Sequence, residues 1–495
     1  MTGLDPDDWD ELRGLGHRML DDMFDHLAGL RDGPVWRKLP DDFRAGLRDQ
    51  PLPTAPTAPQ ALYERFRDQV APYATGNTHP GFMGWVHGGG TAIGMLAEML
   101  AGGLNANCGG RDHAPVEIER AVIGWAAEIM GFPADSSGLL VTGSSMANLI
   151  AVITASRATP NGASLRQQGV GGRRLVGYAA ETAHGCVARA FDLAGLGTDS
   201  LRIIPADPAH RMDIAALDAA IAADRRAGFV PFIVIGTAGT VDTGATDDLD
   251  AIAAIAARDG LWFHVDGAFG ALAMLSDRLR PQLRGLSRAD SLAFDFHKWA
   301  QVPYDAGCIL VREPGRQAAA FAQSLAYLSR ADRGLAANAP WFCDLGPDLS
   351  RGFRALKVWM TLGTYGTDRL GRMVESCCAA ARHLAARVDA EPMLERLAPV
   401  ALNIVCFRVR TGDADLDRLN GELVKDLHES GIAAPSTTVV GGMLAIRAAI
   451  VNHRTTPRDT DRMIDALLGF AAARLTDIRL ADVRPTDTDP PGKNQ

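Results

Sequence analysis

From about residue 90 to about residue 365 short apolar runs alternate with amphipathic stretches: LRIIPAD, DIAALDAAIAADRRAG, PFIVIGTAG, LDAIAAIAARDG and LWFHVDGAF follow one another. Unbroken apolar runs suit strands buried on both faces, and the stretches between them carry the 3.6-residue period of helices. The rhythm is βαβ and predicts a mostly parallel sheet covered on both sides. One helix is bounded with particular clarity over 115–130: proline stands at its first position and Gly131 just past its end. Val116, Val122, Ile123, Trp125, Ala126 and Ile129 form its apolar face.

The two ends differ from this middle. Residues 1 to about 50 carry helical periodicity through Trp9, Leu12, Leu15, Leu20, Met23 and Leu27, and the prolines of PLPTAPTAPQ then block a continuous helix. After about Tyr365 a helix-rich piece leads to two strand-like runs, LNIVCFRVR and MLAIRAAIVN, and a last amphipathic helix. The polar, proline-rich tail is expected to be disordered. The division predicted is a helical arm and linker over 1–88, a large domain over 89–365, a small α/β domain over 366–480 and a tail over 481–495.

Composition narrows the class. With 47% hydrophobic residues in 495 the chain can bury a large core, and a net charge of −9 without a basic cluster gives nucleic acid no footprint. The seven cysteines form no CxxC pair, which predicts neither a disulfide framework nor a thiolate zinc site. The acidic start lacks a basic segment followed by an apolar one, and no run of ~18 apolar residues occurs. A cytoplasmic protein with no membrane partner is expected.

Chemistry concentrates in SLAFDFHKWAQVPYDAGCILV, residues 291–311, where Lys298 sits between two apolar runs. Burial disfavours a charged lysine, and the free amine is a nucleophile able to hold an aldehyde as a Schiff base. Upstream, the apolar run of FHVDGAFGAL delivers Asp266 toward the same place. A lysine for an aldehyde and a carboxylate for a ring nitrogen point to pyridoxal 5'-phosphate. The blander reading of Asp266 is a strand-end cap. A rival pairs it with His264, on the same strand face, as metal ligands, although no third ligand is suggested by spacing. Ala268 is small enough for a flat ring to lie against. Gly143, Ser144 and Ser145 stand where a strand meets a helix, so free N–H groups and the positive helix end there favour a phosphate; alone they are only a cap.

Taken together, GLLVTGSSMANL, AHGC, GTAGTVDTGATDDL, HVDGAFG, DFHKW, LSRGFRALKVW and VNHRTT give the chain its family likeness. It resembles the group II pyridoxal-phosphate-dependent decarboxylases, the family of aromatic-L-amino-acid, histidine and glutamate decarboxylases, from about Asn77 to about Arg458. The resemblance implies the fold type I (aspartate aminotransferase-like) α/β architecture and a homodimer in which the arm covers a second subunit; a surface hairpin on its own subunit is the alternative. It implies decarboxylation of an L-amino acid to the amine and CO2. His184 would stack on the cofactor ring and His297 contact the phosphate. Thr240 and Asp295 would also contact the cofactor; Asp295 stands where animal members carry asparagine, and Val241 beside Thr240 where members often place threonine. The segment GFMGWVHGGG would line the substrate pocket, with Phe82, Trp85 and His87 suiting an aromatic amino acid. Arg454 would lie near the active site, within reach of a carboxylate ligand, or else form a surface ion pair.

One departure bears on the reaction. Aromatic decarboxylases use a tyrosine on a mobile loop to protonate the carbanion, and none of the six tyrosines falls within 329–349. Trp341 or Phe342 occupies its place. In relatives, loss of that hydroxyl lets O2 intercept the carbanion and yields an aldehyde with CO2, ammonia and peroxide. His184, Tyr327 or a residue of a partner subunit remain as alternative donors.

Overall fold

The computed structural model describes residues 3–323, 326–411 and 415–482. In chain order its strands are β1 (Phe82–Met83), β2 (Ser137–Val141), β3 (Leu175–Ala180), β4 (Leu201–Ile204), β5 (Val230–Thr237), β6 (Trp262–Asp266), β7 (Ser291–Asp295), β8 (Gly307–Val311), β9 (Leu394–Arg396), β10 (Ile404–Val409), β11 (Ala434–Val440) and β12 (Met443–Ala449). The larger sheet runs β2-β8-β7-β6-β5-β3-β4. Its pairs from β4 to β7 are parallel, while β8 runs antiparallel to β7 and β2. Helices follow β4 and β5, as the alternating pattern requires, over Ile214–Arg226 and Leu249–Asp259. Each starts where an aspartate side chain, Asp213 or Asp248, accepts backbone N–H groups of the first turn. The helix expected over 115–130 spans Ala114–Met130, and Gly131 ends it in the left-handed conformation at φ 69°.

The smaller sheet, β1-β11-β12-β10-β9, is antiparallel except for β1 against β11. Here β1 departs from the expected arm of 1–88: Phe82 and Met83 are recruited to the edge of β11, whose polar groups need a partner. The helix Arg354–Asp389 links the two sheets and is interrupted at Gly366, with φ 70° and ψ 157°. The last helix, Pro457–Asp482, carries regular structure slightly past residue 480, and the tail expected to be disordered lies from 483 on outside the described residues.

Five strands of the larger sheet end side by side. Thr142 and Gly143 follow β2, His184 follows β3, and Thr237, Asp266 and Asp295 close β5, β6 and β7. In open α/β sheets this carboxyl edge is where ligands bind.

Candidate active site

A cavity of about 410 Å3 opens on that edge, with Lys298, Asp266, His184, Ser144, Trp85 and Tyr304 in its wall. A larger one of about 630 Å3, beside the Gly366 interruption, has neither lysine nor histidine in its lining and so no amine to hold an aldehyde.

The segment after β7 turns sharply, bringing Lys298 back over the strand it has left. Its Nζ lies 3.0 Å from Asp295 Oδ2, and its side chain is 21% exposed, into the cavity. The free amine expected from burial is therefore an ion-paired one, because Asp295 reaches it first. Asp295 also accepts the Ser144 N–H at 2.7 Å. A carboxylate thus occupies the first turn of the helix Ser144–Ala158, where the positive end of the helix attracts an anion. His297 turns its Nδ1 toward the Ala306 N–H at 3.0 Å and packs against Tyr304 with the rings tilted by 36° and their centroids 4.4 Å apart. Burial lowers its pKa, with Asp295 opposing.

Asp266 is buried at the end of β6. Its carboxylate accepts the Ala268 N–H and the Asn148 side-chain N–H, each at 3.1 Å. Burial pushes its pKa up, and the nearby Lys298 charge acts against that rise. His184 lines the cavity and accepts the Cys186 N–H on Nδ1 at 3.2 Å. Gly143, Ser145 and Ala268 also line it.

The aromatic segment divides into wall and backing. Trp85 and His87 face the cavity, and Phe82 stacks behind His87 at 5.6 Å between centroids, so Phe82 supports the pocket rather than lining it. The segment and the chain just before it are fastened by Asn452, which follows β12, and by Gln301 of the lysine turn. Asn452 donates to the carbonyls of Asn77, Thr78 and His79, while Gln301 accepts the Gly89 N–H and donates to the Val451 carbonyl.

Several sequence expectations need correction. Arg454 spends its guanidinium on the carbonyls of Gly89 and Gly90, at 3.0 and 3.3 Å, and lines no part of the cavity. Thr240 is fully buried in its own turn, its hydroxyl accepting the Ala245 N–H, and Gly239 and Val241 take the wall positions instead. Trp341 is sandwiched between Arg111 and Arg330, and Phe342 packs with Leu139, Val141 and Ile150. Neither reaches the cavity, because the core claims both rings. Tyr327 is 71% exposed and stands outside the cavity lining. The metal reading of His264 fails because both ring nitrogens are engaged, by Asn148 and by Ser291, and no cluster able to hold a metal ion exists among the described residues.

Other residues were not anticipated. Tyr304 joins the wall from the far side of the lysine turn, its pKa pushed up to about 12 by burial and then by Asp295. Asn148 lies one helical turn beyond Ser144, and that spacing was the one available signal that it shares the face directed at the strand ends. Thr237 lines the cavity as well. Arg447 is buried and binds only neutral acceptors, the Val241, Asp242 and Trp85 carbonyls and the Ser436 hydroxyl. It thereby ties the small sheet to the cavity wall.

Comparison with known proteins agrees with this arrangement. The pyridoxal-dependent decarboxylase conserved domain matches residues 40–410. An aromatic-L-amino-acid decarboxylase of Bacillus atrophaeus is 31% identical over 474 residues, covering 94% of this chain and 95% of its own. A phenylacetaldehyde synthase of Arabidopsis thaliana is 28% identical, with 90% and 93% covered. The crystal structure of an Oryza sativa TDC with PLP and tryptamine superposes with a TM-score of 0.87 at 28% identity, over 95% of this chain and 100% of that one. Fold and site define a fold type I pyridoxal-phosphate enzyme. The chain belongs to the pyridoxal-dependent decarboxylase family, carboxy-lyases that act on amino acids.

The residues present fit that cofactor. The hydroxyls of Ser144 and Thr237 are buried beside the cavity without a hydrogen-bond partner, a costly state that an arriving polar group would relieve. Gly143, at the start of the helix Ser144–Ala158, presents no side chain between these hydroxyls and the His297 ring, 3.5 Å from where its Cβ would stand.

Proposed function

We propose that the chain decarboxylates an aromatic L-amino acid to its amine and CO2, as a homodimer in the cytoplasm. The observation that carries the substrate class is the side-by-side placement of Trp85, His87 and Tyr304 in the cavity that also holds Lys298 and Asp266. The names of the relatives favour the same class, and seven unpaired cysteines suit a reducing compartment.

Pyridoxal phosphate, when bound, supplies an aldehyde for the substrate's amine and a protonated ring that accepts the electron pair left by CO2. Lys298 would hold the aldehyde carbon and Asp266 would face the ring nitrogen. His184 and Ala268 would flank the ring. Ser144, Ser145, Thr237 and His297 would take the phosphate, with Gly143 leaving space. The aromatic wall orients the substrate's side chain and keeps water from its carboxylate, whose charge is destabilised in a dry pocket. Tyr304, His184 and His87 are side chains of that wall able to carry a proton to the substrate. Tyr304 keeps its proton at neutral pH, since its pKa stands at about 12.

Two measurements test this reading. Borohydride should abolish the visible absorbance of the holoenzyme, and Lys298→Ala should lack that absorbance altogether; a retained band means another residue holds the cofactor. A panel of amino acids assayed for CO2, amine and peroxide should give amine from tryptophan, tyrosine or phenylalanine. Peroxide equal to CO2 would assign the aldehyde-forming reaction instead.

A further inference from the structure

Behind Asp266, away from the cavity, a line of polar groups runs along one face of the sheet, where Trp262, His264 and Asp266 alternate down β6. Trp262 Nε1 lies 2.8 Å from Ser291 Oγ, and Ser291 Oγ lies 2.8 Å from His264 Nδ1. His264 Nε2 is 2.7 Å from Asn148 Oδ1, and Asn148 Nδ2 is 3.1 Å from Asp266 Oδ2. Asn148, His264 and Ser291 are fully buried.

The carboxylate end of this line fixes its direction, because an ionised Asp266 can only accept, and it does so from the Asn148 amide nitrogen. Ser291 Oγ accepts the indole N–H and keeps its own proton available for His264 Nδ1. With Nδ1 accepting, the neutral imidazole carries its proton on Nε2 and gives it to Asn148 Oδ1. The amide nitrogen of Asn148 then faces Asp266, and its second N–H points at Cys186 Sγ, 3.4 Å away. Every proton is directed toward the carboxylate. The opposite order would place the His264 proton on Nδ1, toward the Ser291 carbonyl at 3.1 Å, and would flip the Asn148 amide. Its oxygen would then confront Asp266, which could meet it only when protonated.

We infer that Trp262, Ser291, His264 and Asn148 form a positioning relay that holds Asp266 as an ionised carboxylate, oriented for the cofactor's ring nitrogen. The relay rests on the proposed pairing of Asp266 with that nitrogen. It touches neither substrate nor cofactor and acts only through Asp266. Buried hydrogen bonds that run in one direction polarise one another, so removal of a distant member weakens the last link.

The test is equilibrium binding to the apoenzyme of two ligands, pyridoxal phosphate and its analogue with carbon in place of the ring nitrogen, with thermal stability recorded alongside. Wild-type enzyme should bind pyridoxal phosphate more tightly than the analogue. Equal binding would sink the assignment of Asp266 itself, and the relay with it. His264→Phe should weaken pyridoxal phosphate by about tenfold and leave the analogue unchanged, as expected for one hydrogen bond to a charged group. His264→Gln, which keeps a donor and an acceptor, should restore it. Equal weakening for both ligands, or none for pyridoxal phosphate, overturns the relay. Ser291→Ala, a smaller change at the far end, covers the case in which His264→Phe does not fold. It should show a smaller loss confined to pyridoxal phosphate, and unchanged affinity there likewise overturns the relay.

Discussion

Asp295 binds the Lys298 ammonium and the Ser144 N–H at once, so a single carboxylate occupies both the amine and the helix end proposed above for the cofactor. A phosphate arriving at that helix end meets a like charge, which opposes it by about 1 kcal/mol or more at the effective dielectric of a protein surface. Asp295→Asn keeps an acceptor for Ser144 and removes the charge. Its apoenzyme should bind pyridoxal phosphate several-fold more tightly in a fluorescence titration; weaker binding would mean that the hold on Lys298 matters more. His264 offers a second test. Burial keeps its pKa at about 3, against 6.5 for an ordinary histidine. As pH falls through 6.5 the unfolded chain takes up this proton while the native one does not, so stability is lost at about 1.4 kcal/mol per pH unit until about pH 3. Asp247, pushed up to about 6 by burial, acts in the opposite sense as pH falls toward 4. Comparison with His264→Gln isolates the histidine: between pH 7 and pH 5 the stability difference, read by urea unfolding, should move toward the variant by about 2 kcal/mol. Lys298, Asp266 and His184 were readable in the chain because each follows or ends an apolar run, and strand ends meet at one edge. Arg454, Thr240 and Trp341 were not, since a motif says which residues are near but not which carbonyls or rings will claim their side chains.

At the scale of elements, the βαβ rhythm was plain because buried parallel strands and their helices differ in both period and polarity. The edges of the sheets were less visible. APSTTVV, which becomes β11, mixes small and hydroxyl residues, and β1 is only two residues long. Both owe their strand character to pairing with a neighbour rather than to their own composition. That pairing has a function, because β1 leads directly into the glycine segment that meets the lysine turn. A Cβ on Gly88 would collide with the carbonyls of His297 and Lys298. Gly88→Ala should therefore displace the turn that carries the amine, costing about 1–3 kcal/mol of stability. Holoenzyme prepared from it should lose its visible absorbance on dialysis faster than wild type; retention equal to wild type would show that the two backbones can separate without consequence.

Much of the molecule's exposed apolar surface lies in the first 104 residues. Trp9 is 60% exposed on the helix Trp9–Ala28, and Met99 and Leu104 are 56% and 63% exposed on the helix Ala92–Leu104. Leu62 and Phe66 add to the same class of surface on the helix Pro59–Gln69. The first helix is tied to the helix Pro59–Gln69 of the same arm, where Tyr63 donates to Asp22 and Arg18 donates to Gln60, so its helical period was detectable in sequence while its partner was not. Apolar groups of this size on neighbouring amphipathic elements are costly in water and are ordinarily covered by another surface. In the proposed homodimer a second copy of the chain would supply such a surface by symmetry, one patch against its twin. Light scattering on the wild-type chain should accordingly give twice the chain mass of 52.7 kDa. The double variant Met99→Glu, Leu104→Glu, which sets charges into the patch without touching the core, should shift the mass toward the monomer. An unshifted dimer would move the contact elsewhere, and a monomeric wild type would leave the arm as a hairpin on its own subunit.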